Sequence, residues 1–267
     1  MTRKAIEPKN ANLDVSRNFG LPYACGIEAD GLVFLSGMTA IDRATGERKH
    51  GTMASETADT LANIAEVLED AGSSMASAVK INVFLHSLLE MDSFNRSYLS
   101  FFPEAPPARN VSGVVLNDGM KVKIECIALA RGEDGPRRER STIEPKNPFL
   151  NNSKRSNRPH SPGVRAGNLL FISGMVPLDP ATGESKLGST AEQTRTVLTN
   201  MAHLLESGGS SLDQTVKLNV SLANMLECDT FYRTMSKFFP RALPACTVVG
   251  MQLSNGHGVE IDCIATV

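Results

Sequence analysis

Apolar residues recur along the chain in two alternating patterns. Residues 32–36 and 78–85 are short, almost continuous apolar runs, which is typical of strands that are buried on both faces. Between them, residues 55–72 place apolar side chains at helical spacing and stop at a glycine. A shorter amphipathic pattern over 91–102 predicts a second helix. The order of elements is therefore strands, helix, strand, helix and further strands.

The last part of this pattern, residues 106–128, predicts two more strands. The segment Asn117-Asp118-Gly119 between them carries turn residues, so we expect a hairpin that places Arg109 on one strand and Glu125 on its neighbour. In the second strand the alternation assigns four small or apolar residues to the helix-facing side: Val122, Ile124, Cys126 and Ala128.

The whole pattern is written twice. The segment IEPKN at 6–10 returns at 143–147, and the same offset of 137 aligns VFLSGM at 33–38 with LFISGM at 170–175. Residues 1–130 and 143–267 are therefore predicted to be two copies of one domain. Residues 131–142, which are charged and contain Gly and Pro, are predicted to be the linker.

Each copy is predicted to be an α+β domain in which two helices pack on one face of a mixed sheet. The other face is only partly polar, since Glu125 alternates there with lysines and an isoleucine. A partly apolar free face requires a cover, so we expect a homo-oligomer built through sheet faces.

Composition and charge disfavour several classes of function. The 267 residues are 41% hydrophobic with a net charge of -2, which disfavours nucleic-acid binding. No apolar stretch is long enough for a membrane span and the N-terminus does not look like a signal peptide, so we expect a cytoplasmic protein. The five cysteines and five histidines form no known ligand motif, and no nucleotide-binding pattern occurs, so neither a metal nor a cofactor is predicted.

With these motifs in view, each half resembles the RidA (YjgF) family of reactive-intermediate deaminases. The resemblance rests on segments whose order and spacing agree: Pro22-Tyr23, LVFLSGM, ATGE, AGSSM before VKINVFL, FFP with PPAR, and KIECIA. It implies a chorismate-mutase-like fold that associates through its sheets, with active sites in clefts between domains. It also implies hydrolysis of enamines and imines of amino acids to keto acids and ammonia without a cofactor.

The resemblance assigns roles to four residues of the first copy. Arg109 would hold the substrate carboxylate, and Glu125 would position or activate the attacking water. Tyr23 would line the cleft and Asn95 would lie near it. Arginine suits the first role because its planar guanidinium donates two parallel hydrogen bonds to a carboxylate.

The second copy differs at all four positions. His160 stands for Tyr23 and Tyr232 for Asn95, while Cys246 replaces the arginine and Asp262 replaces the glutamate. A thiol cannot hold a carboxylate as arginine does. The second copy is therefore a structural partner, a new site that uses His160, Cys246 and Asp262, or a binding site without chemistry.

Two other functions remain open for the whole chain. The same cleft could catalyse an isomerisation, cyclisation or condensation of a specialised metabolite. The protein could instead bind a small carboxylate- or carbonyl-bearing ligand without turning it over. Members of the family have also been described as endoribonucleases, but the net charge and the lack of a basic stripe argue against that activity here.

Overall fold

The computed structural model describes residues 3–130, 139–155 and 158–267. Most of the predicted linker therefore lies outside the described residues, and its last residues, 140–142, lie in a strand. The chain divides into two compact units by its tertiary contacts. The first contains residues 1–107 and 114–140, and the second contains Ala108–Gly113 together with Ser141–Val267.

The elements follow the order that the apolar pattern predicts, once in each copy. In the first copy they are β1 (Lys4–Ile6), α1 (Val15–Asn18), β2 (Gly26–Ala29), β3 (Leu32–Leu35), α2 (Met53–Asp70), β4 (Ala78–Leu85), α3 (Met91–Leu99), β5 (Ala108–Gly113) and β6 (Val122–Leu129). In the second they are β7 (Arg140–Ile143), α4 (Asn152–Arg155), β8 (Gly163–Ala166), β9 (Leu169–Ile172), α5 (Thr190–Ser207), β10 (Thr215–Leu222), α6 (Cys228–Met235), β11 (Ala245–Gly250) and β12 (Val259–Thr266).

Two mixed sheets form, which confirms the α+β fold. Within the described part of the chain each has six strands, in the orders β1-β2-β3-β6-β4-β5 and β11-β10-β12-β9-β8-β7. The predicted hairpin is wrong in both copies, because β4 lies between β5 and β6 and β10 lies between β11 and β12. In the second copy β10 pairs with β11 in parallel and with β12 antiparallel. The turn residues are present, but the chain crosses over the intervening strand.

The long helices start at well-formed caps. Thr52 and Ser55 exchange side-chain-to-backbone hydrogen bonds at the start of α2, and Ser189 and Glu192 do so at the start of α5. These contacts satisfy backbone N–H groups that a helix start otherwise leaves without partners. From there each helix presents one buried stripe to its sheet.

The core of each copy lies between helices and sheet. The side of β6 predicted to face the helices is buried at all four positions: Val122, Ile124, Cys126 and Ala128. Residues on its other side are half-buried, as the mixed pattern predicts. One expectation fails on β3, where the Phe34 side chain is 39% exposed, whereas its counterpart Phe171 is buried. No helix of the described residues is both long and apolar enough to cross a bilayer.

Candidate active site

Each copy holds a carboxylate against an asparagine on the neighbouring central strand. Asn82 of β4 is in register with Glu125 of β6 and donates its Nδ2 to Glu125 Oε1 at 2.7 Å. In the second copy, Asn219 is in register with Asp262 and donates to Asp262 Oδ1 at 3.1 Å. The two carboxylates therefore occupy the same place in the two sheets. They differ in exposure, since Glu125 is half-buried and Asp262 is only 1% exposed.

Strand β5 carries Arg109 and is held by the segment that follows β9. The Arg109 N–H donates to Ser173 Oγ at 2.8 Å, and the Gly174 N–H donates to the Arg109 carbonyl at 3.0 Å. Ser173 Oγ in turn donates to the Ser161 carbonyl at 2.6 Å. Arg109 itself is only 5% exposed. Both backbone polar groups of Arg109 are thus hydrogen-bonded to the Ser173–Gly174 segment.

The next residue of β5 connects this strand to Asp262. Asn110 donates its Nδ2 to Asp262 Oδ2 at 3.1 Å, so Asp262 receives a side-chain amide on each oxygen. Gly174 permits the close approach, because a Cβ there would overlap the Glu260 carboxylate and lie 2.8 Å from Asn110 Oδ1. A buried carboxylate is stable only when its oxygens are paired, and these amides supply that pairing.

A cleft opens beside the same segment. It encloses about 380 Å³, including solvent at its mouth, and Ser173, Gly174 and His160 form part of its lining. Most of the remaining wall is apolar, and Asn200 lies among the lining residues. The segment that fixes the Arg109 backbone therefore also lines this cleft.

The two residues that the sequence placed on neighbouring strands belong to different compact units. Arg109 belongs by its contacts to the second compact unit, whereas Glu125 belongs to the first and is held there by Asn82. The carboxylate whose neighbours include the β5 segment is Asp262, which the sequence assigned to an altered second site.

Tyr23 and Asn95 are both in the first unit. The Tyr23 side chain is 43% exposed, and partial burial raises the pKa of its phenol, an effect that the nearby Arg48 opposes. Asn95 lies on α3 and is half-buried. His160, the counterpart of Tyr23, has the same local backbone turn: its N–H bonds the Arg158 carbonyl at 2.9 Å, as Tyr23 bonds Leu21.

The second copy does not assemble His160, Cys246 and Asp262 as a catalytic triad. Cys246 is in register with Leu218 and Asp262 with Asn219, the next residue of β10. Because successive strand residues point to opposite faces, the Cys246 thiol and the Asp262 carboxylate lie on opposite sides of the sheet. Burial also raises the pKa of the Cys246 thiol, with Lys217 opposing the shift, which disfavours the thiolate that a nucleophile requires.

Tyr232 lies on α6, 46% exposed, and partial burial raises its pKa, with Cys228 and Cys246 adding to the shift. Cys126 and Cys263 are buried core residues, as their strand positions predict. Among the described residues no group of three or more His, Cys, Asp or Glu side chains is placed to hold a metal ion.

Sequence reasoning missed the residues that position this site: Asn82, Asn110, Ser173, Gly174 and Asn219. A signal for most of them was present in the repeat, because the asparagine, serine and glycine are identical in the two copies while the catalytic candidates differ. A polar residue that is identical in two copies whose other residues differ marks a position that the shared fold needs. No such signal points to Asn110, whose counterpart is Thr247.

Comparisons with known proteins agree with this architecture. The family model described as Endoribonuclease L-PSP matches the chain twice, over residues 19–130 and 151–267. A RutC family protein of Pyrococcus horikoshii is 36% identical over 118 residues, which is 44% of this chain and 94% of that protein. The chloroplastic Reactive Intermediate Deaminase A of Arabidopsis thaliana is 36% identical over 109 residues, covering 40% of this chain and 58% of the relative.

A third relative, from Dermatophagoides farinae, is named 2-iminobutanoate/2-iminopropanoate deaminase and is 28% identical over 110 residues, 41% of this chain and 86% of its own. Among solved structures, the YjgF gene product of E. coli is 26% identical with a TM-score of 0.42, and the match covers 47% of this chain and 98% of that one. Because the family model matches most of the sequence in two successive segments, the chain belongs to the Endoribonuclease L-PSP family, which includes the RidA proteins, and carries its domain twice.

Proposed function

We propose that the protein is a cofactor-independent deaminase that hydrolyses a carboxylate-bearing imine or enamine to a carbonyl compound and ammonia. The names of two relatives support this reaction class. The observation that carries the proposal is the Asn110–Asp262 hydrogen bond of 3.1 Å, one residue from the buried Arg109. It holds a carboxylate against the strand that carries Arg109, the residue to which the resemblance assigns the substrate carboxylate.

The chemistry requires little beyond positioning. Water adds to the imine carbon, the resulting amino alcohol loses ammonia, and the carbonyl remains. Arg109 binds the substrate carboxylate through two parallel hydrogen bonds and so fixes the imine carbon. A carboxylate accepts a proton from the attacking water and returns it to the leaving nitrogen, and the candidates are Glu125, which the resemblance implies, and Asp262. Asn82 holds the Glu125 carboxylate, and Asn110 and Asn219 hold that of Asp262.

Turnover of 2-iminobutyrate, generated in situ from threonine by a dehydratase, tests the proposal. Arg109→Ala is expected to lower kcat/KM by about 100-fold or more, since truncating one partner of a buried charge pair costs about 2–5 kcal/mol. Arg109→Lys keeps the charge but not the bidentate geometry, so an intermediate loss is expected. Unchanged hydrolysis in Arg109→Ala would contradict the proposal.

Two carboxylate variants then decide which group acts with Arg109. The variant that abolishes most activity, Asp262→Asn or Glu125→Gln, identifies the acting carboxylate, and the other is expected to retain activity within about threefold. Loss of activity in Glu125→Gln alone would support the pairing of Arg109 with Glu125 that the sequence predicted. Each substitution removes one charge and keeps the side-chain size, so the two variants are matched controls for each other.

We also propose that a second copy of the chain covers β11. This strand is first in the order of its sheet and is half to fully exposed, whereas its counterpart β5 is largely buried. In the second copy the Ser173 hydroxyl accepts the Arg109 N–H of β5 and donates to the Ser161 carbonyl. Ser36 is the equivalent residue in the first copy, and it donates to the equivalent carbonyl, that of Ala24, at 2.7 Å. Native mass spectrometry tests this proposal, and a monomer at micromolar concentration would contradict it.

The compartment stays a prediction. We propose the cytoplasm from the sequence, while the names of relatives include a chloroplastic and a mitochondrial protein. Fractionation of the source cells with an antibody against the chain would test it.

A further inference from the structure

In the second unit, strand β5 docks on the segment that follows β9. The Arg109 N–H and carbonyl are hydrogen-bonded to Ser173 and Gly174, respectively. At the other end of β5, Gly113 and Gln252 exchange two backbone hydrogen bonds of 3.2 Å. The groups that β5 contributes to these bonds all belong to its backbone. These bonds therefore do not depend on the Arg109 side chain.

The first copy has the same receiving segment and exposes it. Ser36 and Gly37 are identical to the residues that receive β5 in the second copy. Ser36 is half-buried, whereas Ser173 is only 3% exposed. Val115, at the position of Gln252, is 95% exposed. We call Ser36, Gly37 and Val115 the open receiving surface, because it is accessible where its counterpart is covered.

Strand β11 matches this surface. It is the equivalent of β5, and it lies at the edge of its sheet, half to fully exposed. Cys246 and Gly250 stand at the positions of Arg109 and Gly113. Because neither residue is a proline, both offer the backbone N–H and carbonyl groups that β5 uses. The replacement of the arginine therefore leaves β11 able to make the same backbone bonds.

The side chains at the equivalent contact have changed in a compensating way. In the second unit Asn110 donates to Asp262 at 3.1 Å, and the equivalents are Thr247 and Glu125. Threonine places its polar atom one bond closer to the backbone than asparagine does, and glutamate reaches one methylene further than aspartate. The combined reach of the two pairs is therefore equal. Thr247 Oγ1 accepts from Lys217 Nζ at 2.6 Å, so its own hydrogen can be donated to a carboxylate.

We propose that β11 of one chain docks on the open receiving surface of a second copy, where its Thr247 hydroxyl donates to Glu125. A second copy is already proposed to cover β11, and this docking, which rests on that proposal, identifies the surface that covers it. The Glu125 site is then built by two chains, since Cys246 and Thr247 come from one chain and Glu125 from the other. Cys246 has no guanidinium, so this strand cannot bind a carboxylate bidentately there.

The native thiol of Cys246 allows a direct test by cross-linking. In the second unit the Ser173 hydroxyl lies 2.8 Å from the Arg109 nitrogen, so a thiol introduced at Ser36 would lie beside Cys246 of a docked strand. Ser36→Cys is treated with diamide, which takes up two hydrogen atoms as two thiols form a disulfide. We expect cross-linked chains in non-reducing electrophoresis, and we expect them to disappear when Cys246→Ser is added. Ser173→Cys is the matched control and should not cross-link chains, because β5 of the same chain already fills that position.

The control fixes the results that count against the docking. A yield of cross-linked chains no higher than that of Ser173→Cys would overturn the proposal, and so would a product that persists without Cys246. Far-UV circular dichroism shows whether each variant is folded. Serine and cysteine are similar in size, and Ser36 is only half-buried, so Ser36→Cys is expected to fold.

Thr247→Val tests the side-chain contact at an exposed position. Loss of a hydrogen bond to a charged group is expected to raise the dissociation constant of the assembly about tenfold or more. Lys217→Met is the matched control, because it removes the bond between Lys217 and Thr247 and is expected to leave the constant within about twofold. An unchanged constant in Thr247→Val would contradict the bond to Glu125.

The measurements also separate this docking from the other proposals. A monomer in native mass spectrometry would contradict both the docking and the cover of β11. An assembly in which Ser36→Cys does not cross-link to Cys246 would contradict the receiving surface alone. Turnover of 2-iminobutyrate enters none of these measurements, so the deaminase reaction stands or falls separately.

Discussion

The interaction of Arg43 with Asn63 gives the sharpest stability prediction. Arg43→Ala removes a charged donor from an amide oxygen in a side chain that is only 1% exposed. Hydrogen bonds to charged groups contribute about 1.5–3 kcal/mol, and an acceptor left buried keeps its desolvation cost. The Arg43 side chain also lies 3.3 Å from Glu66, but the two are 45% and 32% exposed, so this ion pair adds less than about 1 kcal/mol.

We therefore expect Arg43→Ala to lower the free energy of unfolding by about 1.5–3 kcal/mol. Urea unfolding followed by far-UV circular dichroism measures the change, with the slope of the transition checked for constancy. Lys49→Ala is the matched control, because Lys49 pairs with Asp59 at 3.1 Å with side chains 51% and 30% exposed and contacts no buried amide in the described structure. It should cost less than about 1 kcal/mol.

The comparison separates two explanations. If the surface charge pair were what matters, the two variants would be destabilised equally. If the buried amide matters, Arg43→Ala has a lower free energy of unfolding than Lys49→Ala. Equal stabilities would refute this reasoning.

Two further predictions concern the site and the pH dependence. Ser173→Ala removes the acceptor of the Arg109 N–H and is expected to lower kcat/KM for 2-iminobutyrate about tenfold. It also leaves two buried backbone groups without this partner, so the unfolding temperature is expected to fall, and the rate is measured well below it. An unaltered rate would show that this bond does not position the arginine. Burial, reinforced by Arg158, lowers the pKa of His257, so the stability of the neutral imidazole is complete above its unfolded value of about 6.5 and is lost as pH falls below it. His257→Met, which copies Met120 of the first domain, should reduce the loss of unfolding temperature between neutral and mildly acidic pH, and an identical loss in both proteins would contradict this assignment.

Much of the fold follows from the sequence because local pattern and global packing agree. The apolar runs predict the central strands, the helical stripes predict α2 and α5, and the repeat predicts two domains. Even the helix-facing side of β6 follows from simple alternation, since its register is fixed by burial. These features depend on residues that are near each other in the chain or on one face of one element.

Strand order could not be predicted in the same way. Asn117-Asp118-Gly119 has the residues of a hairpin turn, and Asp118 and Gly119 do adopt positive φ values of 54° and 70°. The turn nevertheless joins strands that are separated by β4. Turn chemistry specifies a local reversal of the chain, whereas the neighbour of each strand is chosen by packing across the sheet. The hydrogen bond from Asn110 to Asp262, between residues distant in sequence, was out of reach for the same reason.

The position of Arg109 shows that a residue of one sequence repeat can belong by its contacts to the other repeat. Residue-by-residue alignment assigns Arg109 to the first copy, but its backbone is held by Ser173 and Gly174 of the second, and its neighbour Asn110 binds Asp262 there. The largely buried strand β5 carries the arginine, whereas the exposed strand β11 has a cysteine at the equivalent position. The proposed activity therefore cannot be assigned to one copy by its own residues alone. Dividing the chain at the repeat boundary would separate Arg109 from the residues that hold it, so neither half tests the proposed site.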